Sequence, residues 1–212
     1  MVSQEPEAAG RREKVMSGSR EAILDTIRKN HIQGERPRPV VPLFDQAAPA
    51  DMRALFQKTL ERMGGKMLTP YAVDPMAPVC QAIVKLGPVL SCVPEFEGDM
   101  RITPQTKPTD IAPVEYAVLR AAFGVAETGS LCFTEKQLLV NTTGFLPQHL
   151  VILLDPSQIV YNLHNAYQRP EWTQAHYAVF QSGPSATADI EGVLVHGAQG
   201  VRSLSVLFHP EA

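Results

Sequence analysis

Apolar residues recur at the spacing of an amphipathic helix in several parts of the chain. They predict helices over residues 19–30, 51–63 and 74–86, the last two stopped by glycine, and a further helix from Asp155 onward. Short apolar runs predict strands over residues 66–69, 89–93, 150–154, 176–180 and 203–208. Helices that alternate with strands in this way indicate an α/β fold.

The C-terminal part of the chain predicts one strand–helix–strand unit. Ile190, Val193, Leu194 and Gly197 follow the i, i+3, i+4, i+7 spacing of a short helix with one buried face. This predicted helix lies between the strands over 176–180 and 203–208. We therefore expect a right-handed βαβ crossover in a parallel sheet.

The turn that begins at Ser182 lies after the first of these strands and before the predicted helix. Ligands bind at that edge of open α/β sheets, and unbonded N–H groups at a helix start attract carboxylates or phosphates. Hydroxyl donors and a glycine that admits close approach favour a ligand here. The other interpretation is a capped helix whose dipole Asp189 offsets. The residues concerned are Ser182, Gly183, Ser185 and Thr187.

A second cluster of polar residues follows from a predicted hairpin over residues 131–140 with Glu135-Lys136 at its tip. Antiparallel pairing would bring two segments together at the open end of the hairpin. These segments are Glu127-Thr128-Gly129 and Asn141-Thr142-Thr143. They form either a site that includes one carboxylate, or a set of turns that use these residues for local hydrogen bonds.

Other residues with chemical potential are isolated in the sequence. His149 begins a predicted strand, where it is either an acid–base group or a hydrogen-bonded strand end. Cys80, Cys92 and Cys132 have no C-x-x-C spacing and are interpreted as buried, inert thiols. Neither a dinucleotide-binding glycine motif nor a Walker loop is present, and no metal site is predicted.

Length and charge limit the classes of function. The chain has 212 residues with 44% hydrophobic residues, which is enough for one domain with a sizeable core. A net charge of −3 argues against a nucleic-acid partner, and no apolar run is long enough to span a membrane. We predict a disordered tail over residues 1–17, a single domain over residues 18–212 and a cytoplasmic location.

Two motifs resemble those of a known family. The segment SGPSATADIEGVLVHGAQGVRSL is similar to the C-terminal signature of the lactate-utilisation (LUD) domain family, and Val125-Ala-Glu-Thr-Gly-Ser-Leu131 is similar to an upstream motif of that family. The resemblance covers roughly residues 18–208. It implies a Rossmann-like sheet flanked by helices, of the glucosamine-phosphate deaminase, ribose-phosphate isomerase and CoA-transferase type. It also implies a part in the oxidation of L-lactate to pyruvate by a three-protein complex.

Two hypotheses about function follow. In the first, the chain is a non-redox accessory or substrate-binding subunit that holds a small organic-acid anion such as lactate. It carries no cofactor of its own, and iron–sulfur clusters are expected in its partner subunits. In the second, it is a stand-alone deaminase-, isomerase- or CoA-transferase-like enzyme for a phosphorylated or acyl substrate. The candidate catalytic residues are Glu127 and Asp189, and the candidate binding residues are Thr128, Gly129, Asn141, Thr143, Ser182, Gly183, Ser185 and Thr187.

Overall fold

The computed structural model describes residues 7–31, 34, 37, 39–84, 87–188, 194–196 and 200–210. The chain divides into two units, Met1–Val41 and Pro42–Ala212. In the first unit, helix α1 spans Glu7–Asn30, so it begins well before the helix start predicted near Ser19 and includes part of the predicted tail. None of the helices in the described residues is long and apolar enough to cross a membrane.

The second unit is built on a five-stranded sheet in which all neighbours are parallel. The strands in chain order are β1 (Lys66–Leu68), β2 (Val89–Ser91), β3 (Tyr116–Arg120), β6 (His149–Leu154) and β11 (Ser203–Phe208). Their spatial order is β1-β11-β6-β3-β2. This sheet, together with helices on its faces, confirms the predicted α/β class and the strands predicted over 66–69, 89–93, 150–154 and 203–208. Strand β3 was not predicted.

Apolar side chains alternate between the two faces of this sheet, and each face has its own core. Leu150 and Ile152 of β6 belong to the larger core, whereas Val151 and Leu153 of the same strand belong to the smaller one. Helix α2 (Met52–Arg62), capped by Asp51, packs on the larger core, and helix α3 (Ala77–Ala82) packs on the smaller core. Burial on both faces is typical of a parallel sheet covered by helices.

A second, four-stranded sheet has the order β7-β4-β5-β8. Its strands are β4 (Phe123–Val125), β5 (Ser130–Thr134), β7 (Ile159–Val160) and β8 (Ala178–Gln181). Strand β5 pairs antiparallel with both β4 and β8. Leu131 and Phe133 of β5 join the larger core. This sheet therefore packs on the parallel sheet through the same core.

The predicted βαβ crossover at the C-terminus is wrong. The strand predicted over 176–180 is β8, which belongs to the second sheet and not to the parallel one. After it come β9 (Ala186–Ala188) and β10 (Leu194–His196), which pair antiparallel. The helical spacing predicted a helix here, but Leu194–His196 form a strand, which short runs with β-branched residues also favour. Ile190, Val193 and Gly197 of the predicted helix lie outside the described residues.

The predicted hairpin over residues 131–140 is also wrong. Helix α5 (Glu135–Leu138) follows β5 directly, with Thr134 as its N-cap in a capping box. The helix predicted from Asp155 is a 3₁₀ turn (Pro156–Gln158), strand β7 and helix α6 (Leu163–Ala166). Pairing of β7 with β4 breaks that helix. Three further short helical segments are α4 (Pro108–Ile111), a 3₁₀ turn (Asn141–Gly144) and α7 (Pro170–Thr173).

Candidate functional site

The two sequence motifs meet in the structure. Glu127-Thr128-Gly129 form the turn between β4 and β5, and Ser182 follows β8. The Ser182 hydroxyl donates to the carbonyl oxygens of Thr128 and Gly129, at 3.0 and 3.1 Å. The Thr128 hydroxyl donates to the Ser130 hydroxyl at 2.8 Å. The β4–β5 turn and the turn after β8 are therefore joined by hydrogen bonds.

Two glycines of these motifs pack against the C-terminal end of α2. Both have positive φ, +64° at Gly129 and +72° at Gly183. A Cβ atom on Gly129 would lie 2.2 Å from the Leu60 nitrogen, and one on Gly183 would lie 2.2 Å from the Met63 carbonyl oxygen. Only glycine allows this conformation and this close approach together. The two motif glycines are therefore required for the close packing of these turns against the end of α2.

Other predicted site residues lie around the loops before β6 and β11. Thr143 is fully buried, and neither its hydroxyl nor that of Thr142 has a hydrogen-bond partner among the described residues. The Gln181 amide donates to the Gly144 carbonyl, which ties this loop to the strand before Ser182. The Ser185 N–H donates to the Val201 carbonyl at 2.7 Å. The Ser182–Ser185 turn precedes strand β9, so no helix start supplies the expected dipole there.

The remaining predicted residues are dispersed. Glu127, Asn141 and Thr187 are exposed. The backbone N–H of Glu127 donates a hydrogen bond to the Tyr161 carbonyl oxygen. The Asp189 position lies outside the described residues. His149 is a hydrogen-bonded strand end, with its Nδ1 atom 2.7 Å from the Ser203 hydroxyl.

A cavity of about 500 Å³ lies at the carboxyl end of the parallel sheet, where β2 and β3 end. We call it the carboxyl-edge cavity. This is the edge at which α/β sheets bind their ligands. The residues that line it are Cys92, Val93, Pro94, Glu95, Arg120, Ala121, Ala122, Lys136, Gln137 and Glu171.

Arg120, the last residue of β3, is fixed on one wall. Its guanidinium pairs with the Glu95 carboxylate and donates to the His209 carbonyl oxygen at 2.9 Å. Both side chains of the pair are largely buried. Burial tends to raise the pKa of Glu95, but a backbone hydrogen bond and Arg120 outweigh it and hold that pKa below its usual value. The pair is ionised at neutral pH.

Glu171 of α7 forms the other charged wall. Arg169 donates to both of its carboxylate oxygens, at 3.0 and 2.6 Å, and to the Gln158 side chain at 2.7 Å. Burial tends to raise the pKa of Glu171, whereas hydrogen bonds from Arg169 and the backbone lower it further than burial raises it. The second carboxylate is thus also ionised and matched by its own arginine.

Lys136 of α5 is the remaining cation of the cavity. Its charge contributes to the lowered pKa of Glu171, yet no carboxylate among the described residues lies within 4 Å of its ammonium group. It also lines an adjoining cavity of about 240 Å³. Arg120 and Arg169 are each paired with a glutamate. Lys136 is therefore a cation of this cavity that has no carboxylate close to it in the described part of the chain.

The cysteines differ in their surroundings. Cys132 is buried and Cys92 is half-buried, and burial raises the pKa of each thiol to about 12. Cys92 therefore faces the cavity as a neutral thiol. Cys80 is exposed, so its predicted burial is wrong. In the described part of the chain, no three His, Cys, Asp or Glu residues come together in an arrangement able to hold a metal ion.

Sequence reasoning missed the charged residues of this cavity. Lys136 was assigned to the tip of a hairpin that does not exist. No element was predicted around Arg120, because residues 114–122 carry both helical and strand patterns. One signal was available, because Arg120 is the charged residue at the end of the buried strand β3.

A comparison with protein families matches the C-terminal half of the chain. The family model of the LUD domain matches residues 109–208, from before β3 to the end of β11. These residues are therefore similar to a LUD domain. Arg120, Lys136 and Glu171 of the cavity lie within the matched residues, whereas Cys92 to Glu95 precede them.

Two relatives are similar over different lengths. An uncharacterized protein of Neisseria meningitidis serogroup B is 34% identical over 90 residues, which are 41% of this chain and 39% of that protein. A DUF162 family protein from Deinococcus radiodurans has a crystal structure that matches with a TM-score of 0.56 at 14% identity. That match covers 73% of this chain and 94% of the other. At this identity the structural match shows a shared fold.

Proposed function

We propose that this chain is a non-redox subunit of an L-lactate utilisation system, of the lactate-utilisation protein C type, and that it binds a small organic-acid anion in the carboxyl-edge cavity. Electrons from lactate would pass to iron–sulfur partner subunits. The similarity to a LUD domain supports the metabolic role. We also propose that the fold is of the deaminase, isomerase and CoA-transferase type, since the parallel sheet has helices on both faces.

The observation that carries the anion-binding part is the charge balance of the cavity. Arg120 is paired with Glu95, Arg169 is paired with Glu171, and Lys136 has no carboxylate within 4 Å among the described residues. One unmatched positive charge suits a ligand with one negative charge. A monocarboxylate also fits in a space of about 500 Å³.

The same balance favours binding over acid–base catalysis. A general base works best when its pKa lies near the working pH. The pKa values of Glu95 and Glu171 are instead held below the usual range, the first by its backbone and Arg120 and the second mainly by Arg169, each against the opposing effect of burial. A stand-alone deaminase, isomerase or CoA-transferase is thus the second candidate, and it would draw its carboxylate from Glu127 or Asp189.

Calorimetric titration of the purified chain tests anion binding. We expect L-lactate to bind and the neutral isostere L-lactamide not to bind, because the amide carries no charge for Lys136. Lys136→Met should weaken lactate binding about tenfold or more, since a charge-assisted hydrogen bond contributes about 1.5–3 kcal/mol. Lys58→Met, at an exposed position of α2, is the matched control and should bind as the wild type does. Equal binding of lactate and lactamide would contradict the proposal.

Gene deletion and co-purification test the metabolic role. Loss of the chain should abolish growth on L-lactate, and a tagged copy should bring down proteins that carry iron–sulfur clusters. The purified chain alone should not reduce a dye in the presence of L-lactate. Dye reduction by the isolated chain would overturn the accessory-subunit role.

A further inference from the structure

The amino-terminal edge of the parallel sheet carries a set of reactive side chains on three neighbouring strands. Tyr116 of β3, His149 of β6 and Ser203 of β11 are in register with one another. Glu115 immediately precedes β3. This group lies at the opposite edge from the carboxyl-edge cavity and has no part in the proposed anion binding. We call it the amino-edge cluster.

Each side chain of the cluster contacts His149. The Ser203 hydroxyl lies 2.7 Å from the Nδ1 atom of the imidazole ring. A carboxylate oxygen of Glu115 lies 3.6 Å from the Nε2 atom on the other side of the ring. Tyr116 stacks on the imidazole with the ring centres 4.7 Å apart, which fixes the plane of the ring. A hydroxyl, a base in hydrogen-bond contact and a group that orients the base together form the signature of an activated nucleophile.

From this geometry we infer that Ser203 is an activated nucleophile that accepts an acyl group from an activated ester. The Ser203 oxygen attacks the carbonyl carbon while Nδ1 of His149 takes the hydroxyl proton. The bond from that carbon to the leaving alcohol breaks, and the alcohol oxygen receives the proton from His149. The acyl group remains on Ser203 as an ester, and no electron is gained or lost.

Glu115 is a positioning residue in this reaction. Its carboxylate lies beyond hydrogen-bond length in the free protein, but it faces the ring nitrogen that becomes positive when His149 takes the proton. The side chains of His149 and Glu115 are 22% and 25% exposed, so reagents in solution reach the cluster.

Reaction with p-nitrophenyl acetate tests the inference. The full chain should release p-nitrophenol in a burst that approaches one equivalent, and peptide mass spectrometry should find the acetyl group on Ser203. Pretreatment with an alkyl fluorophosphonate should abolish the burst and label the same residue. An acetyl group found only on lysines or at other hydroxyls, or a slow release without a burst, would overturn the inference.

Variants separate the roles. Ser203→Ala should remove the burst, and His149→Gln should slow it about a hundredfold or more. Ser205→Ala, two residues along the same strand, is the matched control and should react as the wild type does. Glu115→Gln should lower the burst rate about tenfold but leave its final size and the melting temperature unchanged. If only the melting temperature falls in Glu115→Gln, its role is structural, and the mapped residue in the wild type still decides whether Ser203 reacts.

Discussion

The motif turns and the carboxyl-edge cavity differ in what their polar groups contact. In the motif turns, the Ser182 hydroxyl donates to backbone carbonyls, and Gly129 and Gly183 pack closely against the end of α2. In the cavity, charged side chains line open space, and Lys136 has no close carboxylate among the described residues. A distinctive motif can therefore reflect a packing requirement, whereas a ligand site needs polar groups that the fold leaves available.

Gly129→Ala should produce the largest effect and should act on stability. The new Cβ would lie 2.2 Å from the Leu60 nitrogen at a φ of +64°, so α2 must shift. Backbone strain and overpacking together cost about 4 kcal/mol. Thermal denaturation should show a drop in melting temperature of about 10 °C. Lactate affinity, measured on the folded protein, should stay at the wild-type value.

Gly200→Ala separates the two causes of that loss. Gly200 also has positive φ, +93°, but the nearest atoms to a new Cβ lie 3.6 Å away on Ser185. Only backbone strain should remain, about 1 kcal/mol. If Gly200→Ala were as harmful as Gly129→Ala, contact with α2 would not explain the motif glycine.

Arg120→Met should produce the next largest effect. It leaves the Glu95 carboxylate largely buried without its main partner, so we expect a loss of about 2–3 kcal/mol, less than for a fully buried pair. Urea denaturation at neutral pH measures it. The double variant with Glu95→Gln should recover part of the loss, because no unmatched charge is then buried. Full additivity of the two changes would contradict a direct interaction.

The Glu95–Arg120 pair also predicts how the free energy of unfolding depends on pH in acid. The folded protein holds the pKa of Glu95 below its usual value, burial being outweighed by the backbone and Arg120, so the unfolded chain binds the proton more readily. The stabilisation is complete above the unfolded pKa of about 4.3 and is lost as the pH falls through the lower folded value. In Glu95→Gln this part of the acid dependence should disappear. An unchanged difference between wild type and variant from pH 7 to pH 3 would contradict the shift.

Periodicity predicted the buried strands well because each carries a strong local signal. Strand β11 has the bounds that its apolar run predicts, and β6 begins at His149 and ends at Leu154, as its sequence predicts. The end of α2 at glycine was likewise local, since Gly64 has positive φ. These elements take their conformation from their own residues, so the sequence suffices to place them.

The errors arise where partners far along the chain decide the structure. Ile159 and Val160 leave a helical pattern because β4 pairs with them, and β8 joins the second sheet because β5 is its neighbour. The cavity combines residues from the ends of β2 and β3 with residues of α5 and α7. The spacing of these residues in the sequence does not predict that they lie close together. The charge balance around Lys136 can therefore be recognised only from the structure.

Ser182→Ala should produce the smallest effect and distinguishes the two regions most directly. The hydroxyl donates to two carbonyls of the β4–β5 turn, so its loss should cost about 1 kcal/mol and lower the melting temperature by a few degrees. Ser185→Ala, in the same turn, is the control: with no side-chain hydrogen bond to a described residue, it should cost less. Both variants should bind L-lactate as the wild type does, since their sites lie outside the residues that line the carboxyl-edge cavity. If Ser182→Ala instead lost lactate binding at an unchanged melting temperature, the anion would lie at the motif turn, and the unmatched charge of Lys136 would not mark the site.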